Sequence, residues 1–401
     1  MIKKNIIFPL FFIFFLLSCS KLTHISESQI AKEDHIISIL PIIENLQPIL
    51  DLTPYIDTIK YVKLEFTDES IIGSIDKLII YEERIYILDT QTSSLFIFDM
   101  EGNYLNKIAK VGQGPGEYIQ LDFFDIDREN KNIVLTDLIG YWIMWYDFDG
   151  NFLFRKKIPV WCEGVSLLPN KGIALYANFR NNSDVLKQEF NLICLDSDMN
   201  INKVYFPYLS KDFNIKISTS IAGHFYHFKD HVNFSFPYGS TVYQFKNDSL
   251  ISKYKFDFGK DILPIENLGN PKQFMENYKN KKFSGIYGYI MENDELLFFT
   301  IQVNINAPLI YTVFYSKESG NTLLSFIFMV EKDFNVDLPQ TEYNSWIVSK
   351  IQAYSLVDWK KVFPKERVSS ASEYTKARLS LAEELTDEDN PVLMFLKLKP
   401  F

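Results

Sequence analysis

Beyond residue 17 the sequence has no apolar run long enough to cross a membrane, since a spanning helix needs about 20 apolar residues. It also has no excess of positive charge: the net charge of −10 disfavours a broad electrostatic contact with nucleic acid. It contains no Gly-x-Ser-x-Gly motif, and neither Cys162 nor Cys194 stands in a local nucleophile motif. These absences disfavour nucleic-acid binding and two common classes of covalent catalysis.

The apolar run that is present lies at the start of the chain. Lys3 and Lys4 precede residues 6–17, which are almost wholly apolar but too few to span a bilayer. This order is typical of a secretory signal, here residues 1–18. Leu16-Leu17-Ser18-Cys19 resembles the lipobox of bacterial lipoproteins, which implies that Cys19 is acylated and anchors the chain. The alternative is an ordinary cleaved signal that happens to contain a cysteine.

Residues 19–50 are polar and irregular, and we interpret them as the lipidated cysteine and a tether to a folded part at 51–401. No dense acidic cluster directly follows Cys19, whereas such clusters often accompany surface export in lipoproteins of this kind. The sequence therefore predicts an outer-membrane lipoprotein of the cell envelope. It favours the periplasm-facing side over the surface, with the lipid bilayer as a partner through acylated Cys19.

A repeat of 48 residues indicates the fold. Asp89 and Asp137 are 48 residues apart. Asp99 and Asp147 are also 48 residues apart, and each of these two begins an Asp-x-x-Gly-Asn segment. Looser copies follow near 195–200, 242–251 and 310–321. Each copy has the pattern of four short strands separated by turns, which is the unit of a β-propeller blade. One blade cannot bury both of its faces, so the blades must stack around an axis.

The two ends of the chain supply one more blade. Residues 59–66 and 391–398 each have a strand pattern without a neighbour, and pairing them closes the ring and removes exposed edges. We therefore predict an all-β fold, a six-bladed β-propeller of four-stranded antiparallel blades.

Two stretches depart from the strand pattern. Helical spacing predicts a small helical insertion at about 268–282 and a C-terminal helical pair at about 342–386, before the closing strand. Ser370 and Glu373 form a candidate capping box for the second helix of this pair.

A glycine-rich segment and the C-terminal strand resemble a known family. Val111–Tyr118 reads Val-Gly-Gln-Gly-Pro-Gly-Glu-Tyr and resembles a loop of six-bladed, NHL-like β-propeller lipoproteins of Bacteroidota, and Asp389–Leu393 resembles their terminal strand. With the lipobox and the repeats, the resemblance covers nearly the whole chain. Because that family is largely uncharacterised, the resemblance implies a fold and a location but no reaction.

Two glycine-containing motifs are interpreted as turns. The loop 112–116 lacks the Lys-Ser/Thr of a P-loop and a βαβ setting, so we predict an inter-blade turn after which Glu117 and Tyr118 line a face of the ring. The segment 147–151 resembles the start of a calcium loop, but its glycine is misplaced for one. Its recurrence in successive repeats favours a hairpin turn.

Cysteine, histidine and tryptophan offer weaker signals. Cys162 and Cys194 fall on non-adjacent strands of one repeat, which favours two buried free thiols over a disulfide. His224 and His227 should point to opposite faces of a strand, although a turn could bring His231 beside His227 as at most two zinc ligands. We interpret these histidines as structural or surface residues. The tryptophans could stack on sugars, but packing between blades is the simpler account.

We therefore predict a binding or scaffold module on the envelope, without a cofactor, for a protein, peptide or glycan ligand. The candidate binding residues at the mouth of the channel are Asp76, Asp122, Glu163 and His224. The alternative is an enzyme, a metal-dependent hydrolase or lactonase, which needs three or four ligands around one ion. The sequence shows no such set and assigns no catalytic residue.

Overall fold

The described part of the chain is almost entirely short strands and tight turns. The structure, a computed structural model, describes residues 23–25, 29–39, 47–208, 224–247, 249–259, 276, 283–304 and 308–401. β-Branched and aromatic segments form the strands, and Gly, Asn and Asp turns interrupt them, as expected of an all-β chain. The predicted signal, Cys19 and, apart from Glu276, the predicted insertion lie outside these residues.

Four strands come first in the chain, and each joins a different sheet formed by later strands. They are β1 (Thr23–His24), β2 (Ala31–Ser38), β3 (Gln47–Asp51) and β4 (Ile56–Lys63).

Five sheets are built mainly from consecutive antiparallel strands. Sheet I contains β5 (Lys77–Tyr81), β6 (Arg84–Asp89), β7 (Ser94–Asp99) and β8 (Tyr104–Ile108). Sheet II contains β9 (Phe123–Asp127), β10 (Asn132–Asp137), β11 (Trp142–Tyr146) and β12 (Phe152–Lys157). Sheet III contains β13 (Gly164–Leu167), β14 (Ile173–Tyr176), β15 (Glu189–Leu195) and β16 (Ile201–Tyr208). Sheet IV contains β17 (Phe225–Phe228), β18 (His231–Ser235), β19 (Thr241–Lys246) and β20 (Ser249–Asp257). Sheet V contains β21 (Phe283–Glu292), β22 (Leu296–Asn304), β23 (Pro308–Ser316), β24 (Thr322–Val330) and β25 (Phe334–Val336).

A sixth sheet combines strands from both ends of the chain. Sheet VI contains β26 (Pro339–Tyr343), β27 (Trp346–Ile351), β28 (Val392–Leu398) and β4. Strand β28 pairs with β4 in antiparallel register, with Val392 opposite Lys63 and Leu396 opposite Ile59. The predicted pairing of the two orphan strands is therefore confirmed.

Strands β1, β2 and β3 lie parallel to the outermost long strands of sheets III, IV and V, namely β16, β20 and β24. The prediction of an irregular tether over 19–50 is wrong for the described residues of that range. The physical reason is that Ile30, Ile37 and Ile39 are buried against the sheets, so this polar segment contributes apolar contacts as well as backbone hydrogen bonds.

Each pair of neighbouring sheets encloses an apolar core, and these cores link the sheets in the cyclic order I, II, III, IV, V, VI and I again. Strand β6 shows how this arises: Ile85 and Ile87 pack towards sheet VI, whereas Tyr86 and Leu88 pack towards sheet II. The innermost strands β5, β9, β13, β17, β21 and β26 contact one another in the same cyclic order. The fold is therefore an all-β propeller of small antiparallel sheets.

Two helices stand between β27 and β28, as predicted, but over a shorter range. They are α1 (Ala353–Val362) and α2 (Glu373–Glu383). The predicted start at 342 is wrong because β26 and β27 occupy 339–351, and the N-cap of α2 is Ser372, not Ser370: its Oγ accepts a hydrogen bond from Thr375 N at 3.1 Å. No helix in the described ranges is long and apolar enough to cross a membrane.

Candidate functional site

The propeller has two faces that differ in chemistry. We call the face at which the innermost strands begin the start face, and the face at which they end the end face. Asp76, Asp122, Glu163 and His224 each directly precede an innermost strand, in sheets I to IV respectively. The structure therefore places all four sequence-predicted residues on the start face, at equivalent positions of successive sheets.

On sheets I and II these side chains hold turns of the fold. Asp76 accepts hydrogen bonds from the hydroxyls of Ser74 and Thr90, both at 2.6 Å, and Asp122 accepts one from the backbone N–H of Leu138 at 2.8 Å. Burial, together with the nearby carboxylate of Asp137, raises the pKa of Asp122 to about 6. Both carboxylates thus fix the turn that follows the second strand of their own sheet.

On sheets III and IV the side chains are also engaged. Glu163 accepts a hydrogen bond from Asn178 Nδ2 at 2.5 Å and forms an ion pair with Arg180. His224 is buried, and its ring centre lies 4.2 Å from that of Tyr176. Burial lowers the pKa of His224 to about 4, so its ring is neutral at physiological pH. A ligand role for the four start-face residues stays a prediction.

The glycine-rich loop connects sheets I and II, as the predicted inter-blade turn does. The carboxylate of Glu117 accepts a hydrogen bond from Gly114 N at 2.7 Å, and a Cβ on Gly112 would lie 2.1 Å from the same carboxylate. Tyr118 is buried, and its hydroxyl lies 2.9 Å from Ser93 O. The structure therefore uses Glu117 and Tyr118 to build the loop and does not bring Tyr118 to an open face.

The recurring Asp-x-x-Gly-Asn segment is a hairpin turn, as predicted. Asp147 Oδ1 accepts hydrogen bonds from the backbone N–H groups of Asp149 at 3.0 Å and Asn151 at 2.8 Å. Asp99 and Asp196 make the equivalent bonds in sheets I and III. The carboxylates satisfy backbone donors at the turn, which is the usual role of Asp at such positions.

The histidine cluster does not converge. In the β17–β18 hairpin His231 stands opposite Phe228 and His227 opposite Val232, so the turn does not bring His231 beside His227. Across the described ranges, no group of three or more His, Cys, Asp and Glu side chains is placed to share a metal ion. Cys162 and Cys194 are buried free thiols, as predicted.

A groove of about 620 Å³ crosses the end face of sheets II, III and IV. Turns that follow the innermost strands of these sheets line it, and side chains of β11 and β12 form one wall. Its size falls within the range of about 300–1,000 Å³ that is typical of ligand sites. We call it the end-face groove.

Polar side chains from four innermost strands meet beside this groove. The Asp125 carboxylate of sheet II is buried and lies 2.9 Å from His227 Nε2 of sheet IV and 3.3 Å from Leu167 N of sheet III. Lys77 of sheet I donates to Phe124 O at 2.8 Å. Although burial alone would raise it, the pKa of Asp125 is held well below its usual range by His227, with Lys77 and Arg128 nearby.

Ser166, His227 and Asp125 are close together, but they are not arranged as a catalytic triad. Ser166 Oγ lies 3.2 Å from His227 Nε2, and Asp125 Oδ2 lies 2.9 Å from the same nitrogen. A triad requires the acid and the serine to use the two different ring nitrogens, so that the base can relay a proton. This cluster instead ties sheets II, III and IV together at the axis.

The groove presents an unpaired cation and an exposed aromatic ring. Arg128 is exposed, and none of the carboxylates in the described residues lies within ion-pair distance of its guanidinium. Phe154 is 43% exposed and stacks on Trp145, with ring centres 4.7 Å apart and planes 15° apart. Lys156 Nζ lies 6.0 Å from the centre of the Phe154 ring. The groove can therefore offer a charged hydrogen-bond donor and a flat apolar surface to one ligand.

Sequence reasoning missed the groove. Arg128, Leu168 and Lys229 each belong to an ordinary hairpin turn, and only the ring brings the three turns together. The one local signal was the exposed Phe154 in the outermost strand of sheet II, at an edge where exposed residues are usually polar.

Three solved structures align with this chain to different extents. An exported protein of Bacteroides fragilis aligns with a TM-score of 0.68 and 18% identity, over 91% of this chain and 100% of that one. A member of the DUF4221 family from Bacteroides vulgatus aligns with a TM-score of 0.47 and 10% identity, over 86% and 97%. Virginiamycin B lyase of Staphylococcus aureus aligns with a TM-score of 0.36 and 12% identity, over 73% and 80%. At 18% identity the likeness to the Bacteroides fragilis protein concerns the fold alone.

A comparison with curated proteins finds no match. A family described as a domain of unknown function, DUF4934, matches residues 35–397. This match spans nearly all of sheets I to VI and both helices, and the chain therefore belongs to the DUF4934 family.

Proposed function

We propose that this protein is an exported lipoprotein of the cell envelope, anchored through Cys19, whose six sheets act as the blades of one ring that binds a ligand in the end-face groove. The observation that carries the proposal is the groove itself, with Arg128 and Phe154 at its surface. The lipobox and the exported Bacteroides fragilis protein of the same fold support the location.

The side chains of the groove define the ligand by its chemistry. A guanidinium without a carboxylate partner favours an anionic group, because it can form two parallel charge-assisted hydrogen bonds with a carboxylate. Lys156, Lys171 and Lys229 also line the groove, whereas the chain as a whole carries a net charge of −10. Asp127, Glu129 and Asp230 line it too, and Lys171 and Lys229 pair with Glu129 at 3.8 Å and Asp294 at 2.6 Å, so the anion-binding role falls to Arg128 and Lys156.

The exposed ring of Phe154 offers the other half of the site. Its face is flat and partly apolar, and Trp145 behind it fixes its position. Sugar rings stack on such surfaces, and the amide side chains of Asn130 and Asn132 in the wall can exchange hydrogen bonds with sugar hydroxyls. We therefore propose an acidic oligosaccharide as the ligand.

Binding fits this site better than hydrolysis. The buried carboxylate at the axis, Asp125, is already engaged by His227 and by the backbone N–H of Leu167. The alternative of a metal-dependent hydrolase or lactonase is a sequence-based hypothesis that no feature of the described residues favours.

The test is a titration of the detergent-solubilised full-length protein with a galacturonic acid hexamer and a neutral glucose hexamer, followed by calorimetry. We expect binding of the acidic hexamer only, at least 10-fold weaker in Arg128→Ala and in Phe154→Ala. Lys131→Ala is the matched control, because Lys131 shares the turn of Arg128 but pairs with Glu82 at 2.7 Å. Equal binding by Arg128→Ala, or binding of acidic peptides but of neither sugar, would overturn the proposed ligand.

A further inference from the structure

We infer that the end face, with its groove, is held against the membrane, so that the ligand it takes is an acidic glycan linked to a lipid. This inference rests on the proposed acylation of Cys19. It follows from the place where the N-terminal segment first joins the ring.

Strand β1 attaches the N-terminal segment to sheet III. Thr23 stands opposite Lys203 and His24 opposite Val204, in parallel register with β16. Directly after β1, Ile25 N donates to Val204 O at 3.1 Å, and Ile25 packs against the core between sheets III and IV. The chain is therefore tied to the ring from Thr23 onward.

The distance between Cys19 and this attachment is short. Thr23 is four positions after Cys19, with three residues between them, and an extended chain spans at most about 14 Å over these four steps. We call the connection from Cys19 to Thr23 the leash. It is much shorter than the tether over residues 19–50 that the sequence predicted. The acyl chains therefore lie close to the rim of sheet III.

The direction of β1 shows which face the leash leaves from. Strand β16 begins directly after the end-face turn 196–200 and runs towards the start face. Because β1 is parallel to β16, its first residue, Thr23, is the end of β1 that lies nearer the end face. From Lys203, the partner of Thr23, β16 continues for five residues to its start-face end, about 17 Å at roughly 3.3 Å each, but for only two residues, about 7 Å, to its end-face end. The leash can therefore reach beyond the end face but not beyond the start face.

The same rim borders the groove. Ser197, in the end-face turn that precedes β16, lines the end-face groove. Lys203, the partner of Thr23, lines a neighbouring cavity of about 310 Å³. The anchor and the groove thus share one face and one sheet. A ligand that is itself attached to the bilayer would meet the groove directly, whereas the start-face residues Asp76 and Asp122 point away.

Charge on the end face is mixed. The turn nearest the leash carries Asp196 and Asp198, which an anionic membrane surface repels, whereas Arg128 and Lys156 of the groove are attracted to it. We infer the orientation from the length of the leash, which is the same on zwitterionic and on anionic vesicles.

The experiment places a fluorophore on either face of sheet III in the full-length acylated protein, bound to phosphatidylcholine vesicles with a headgroup quencher. Ser197→Cys reports the end face, and Lys187→Cys is the matched control on the start face, since both side chains are exposed. The two native thiols of the folded part are buried and do not compete for the label. We expect at least threefold stronger quenching at position 197 than at 187, with or without phosphatidylglycerol.

A second variant tests the cause. Twelve Gly/Ser residues inserted between Ser20 and Lys21 lengthen the leash, and we expect the quenching at position 197 to fall towards that at 187. Equal quenching at both positions in the short-leash protein, or a difference that survives the insertion, overturns the inference. Recovery of the protein without acyl chains, and a Cys19→Ser variant that partitions like the wild type, would instead overturn the proposed anchor.

The ligand has its own test. Vesicles that carry a galacturonic acid oligosaccharide on a lipid should retain the Cys19→Ser protein, and Arg128→Ala in that background should abolish retention. Retention on plain phosphatidylcholine vesicles, or none on the glycolipid vesicles while the free hexamer binds, contradicts the lipid-linked ligand but leaves the groove as a binding site.

Discussion

The guanidinium carbon of Arg378 in α2 lies 4.1 Å from the centre of the Phe334 ring in β25. Trp359 of α1 contributes a second ring at 4.2 Å, and Glu331 is the nearest carboxylate at 3.6 Å. The Arg378 side chain is fully buried, and this burial lowers the pKa of the guanidinium. One buried cation therefore fastens both helices to sheet V.

Removing this cation should be costly. We expect Arg378→Ala to lower the free energy of unfolding by about 3 kcal/mol or more, because it leaves carboxylates without their partner and a cavity between two rings. Urea unfolding of the full-length protein measures the change. Arg367→Ala is the control: Arg367 pairs with Asp333 at 3.1 Å but is half exposed, so its loss should cost under about 1 kcal/mol. Similar losses for both variants would contradict the assigned role of Arg378.

In the third copy of the Asp turn, a methionine occupies the position at which the first two copies have glycine. Gly102 and Gly150 have φ of 87° and 80°, whereas Met199 occupies the same left-handed position with φ of 69°. We expect Gly150→Ala to lower the free energy of unfolding by about 1 kcal/mol, since only glycine adopts this conformation without strain. Met199 packs against the core between sheets II and III, so Met199→Gly relieves this strain but loses that packing, and it should change the free energy of unfolding by less than Gly150→Ala does. Chemical denaturation of both variants measures the two changes, and unchanged stability of Gly150→Ala would refute the argument.

Asp122 should make stability fall as the pH rises. Its folded pKa of about 6 lies above the value of about 3.9 for an unfolded aspartate, so between these values the folded state binds more protons than the unfolded state. Its stabilising contribution is complete below pH 4 and is lost as the pH rises through 6. Unfolding free energies from pH 4 to 7 should decline less steeply in Asp122→Asn than in the wild type. Parallel curves for the two proteins would exclude the effect.

Cys162 and Cys194 should be unreactive in the folded protein. Burial raises the pKa of both thiols, that of Cys194 to about 12, so the nucleophilic thiolate is scarce and shielded from reagents. In Cys19→Ser protein, a thiol reagent should modify no cysteine under native conditions and two after denaturation in urea. Modification of either thiol at a rate typical of exposed cysteine would contradict the buried positions.

The sequence predicted those parts of the fold that leave a local signal. The 48-residue repeat indicated the sheets, and the Asp99, Asp147 and Asp196 turns recur because each carboxylate caps its own hairpin. The pairing of β4 with β28 followed from the need to cover two edges. Strands β1 to β3 were not predicted because a parallel edge strand is not preceded or followed by a hairpin turn, which is the local signal used for the other strands. One face of such a strand is also largely solvated, so its apolar pattern is weak.

The site was harder to predict for a different reason. The start-face positions were found because each directly precedes a strand, which is a local property. The end-face groove depends on three turns that are about 40 to 60 residues apart in the chain, and His227 acquires its partner Asp125 from a strand two sheets away. Periodicity cannot show which turns meet, because that depends on how the ring closes.

The pairing of β4 with β28 also sets the order of assembly. A chain that emerges from its N-terminus delivers β4 among the first strands and β28 last, so sheet VI cannot form until the chain is nearly complete. Until then the apolar faces of sheets I and V that border sheet VI are without cover, and an incomplete chain exposes them to chaperones and proteases.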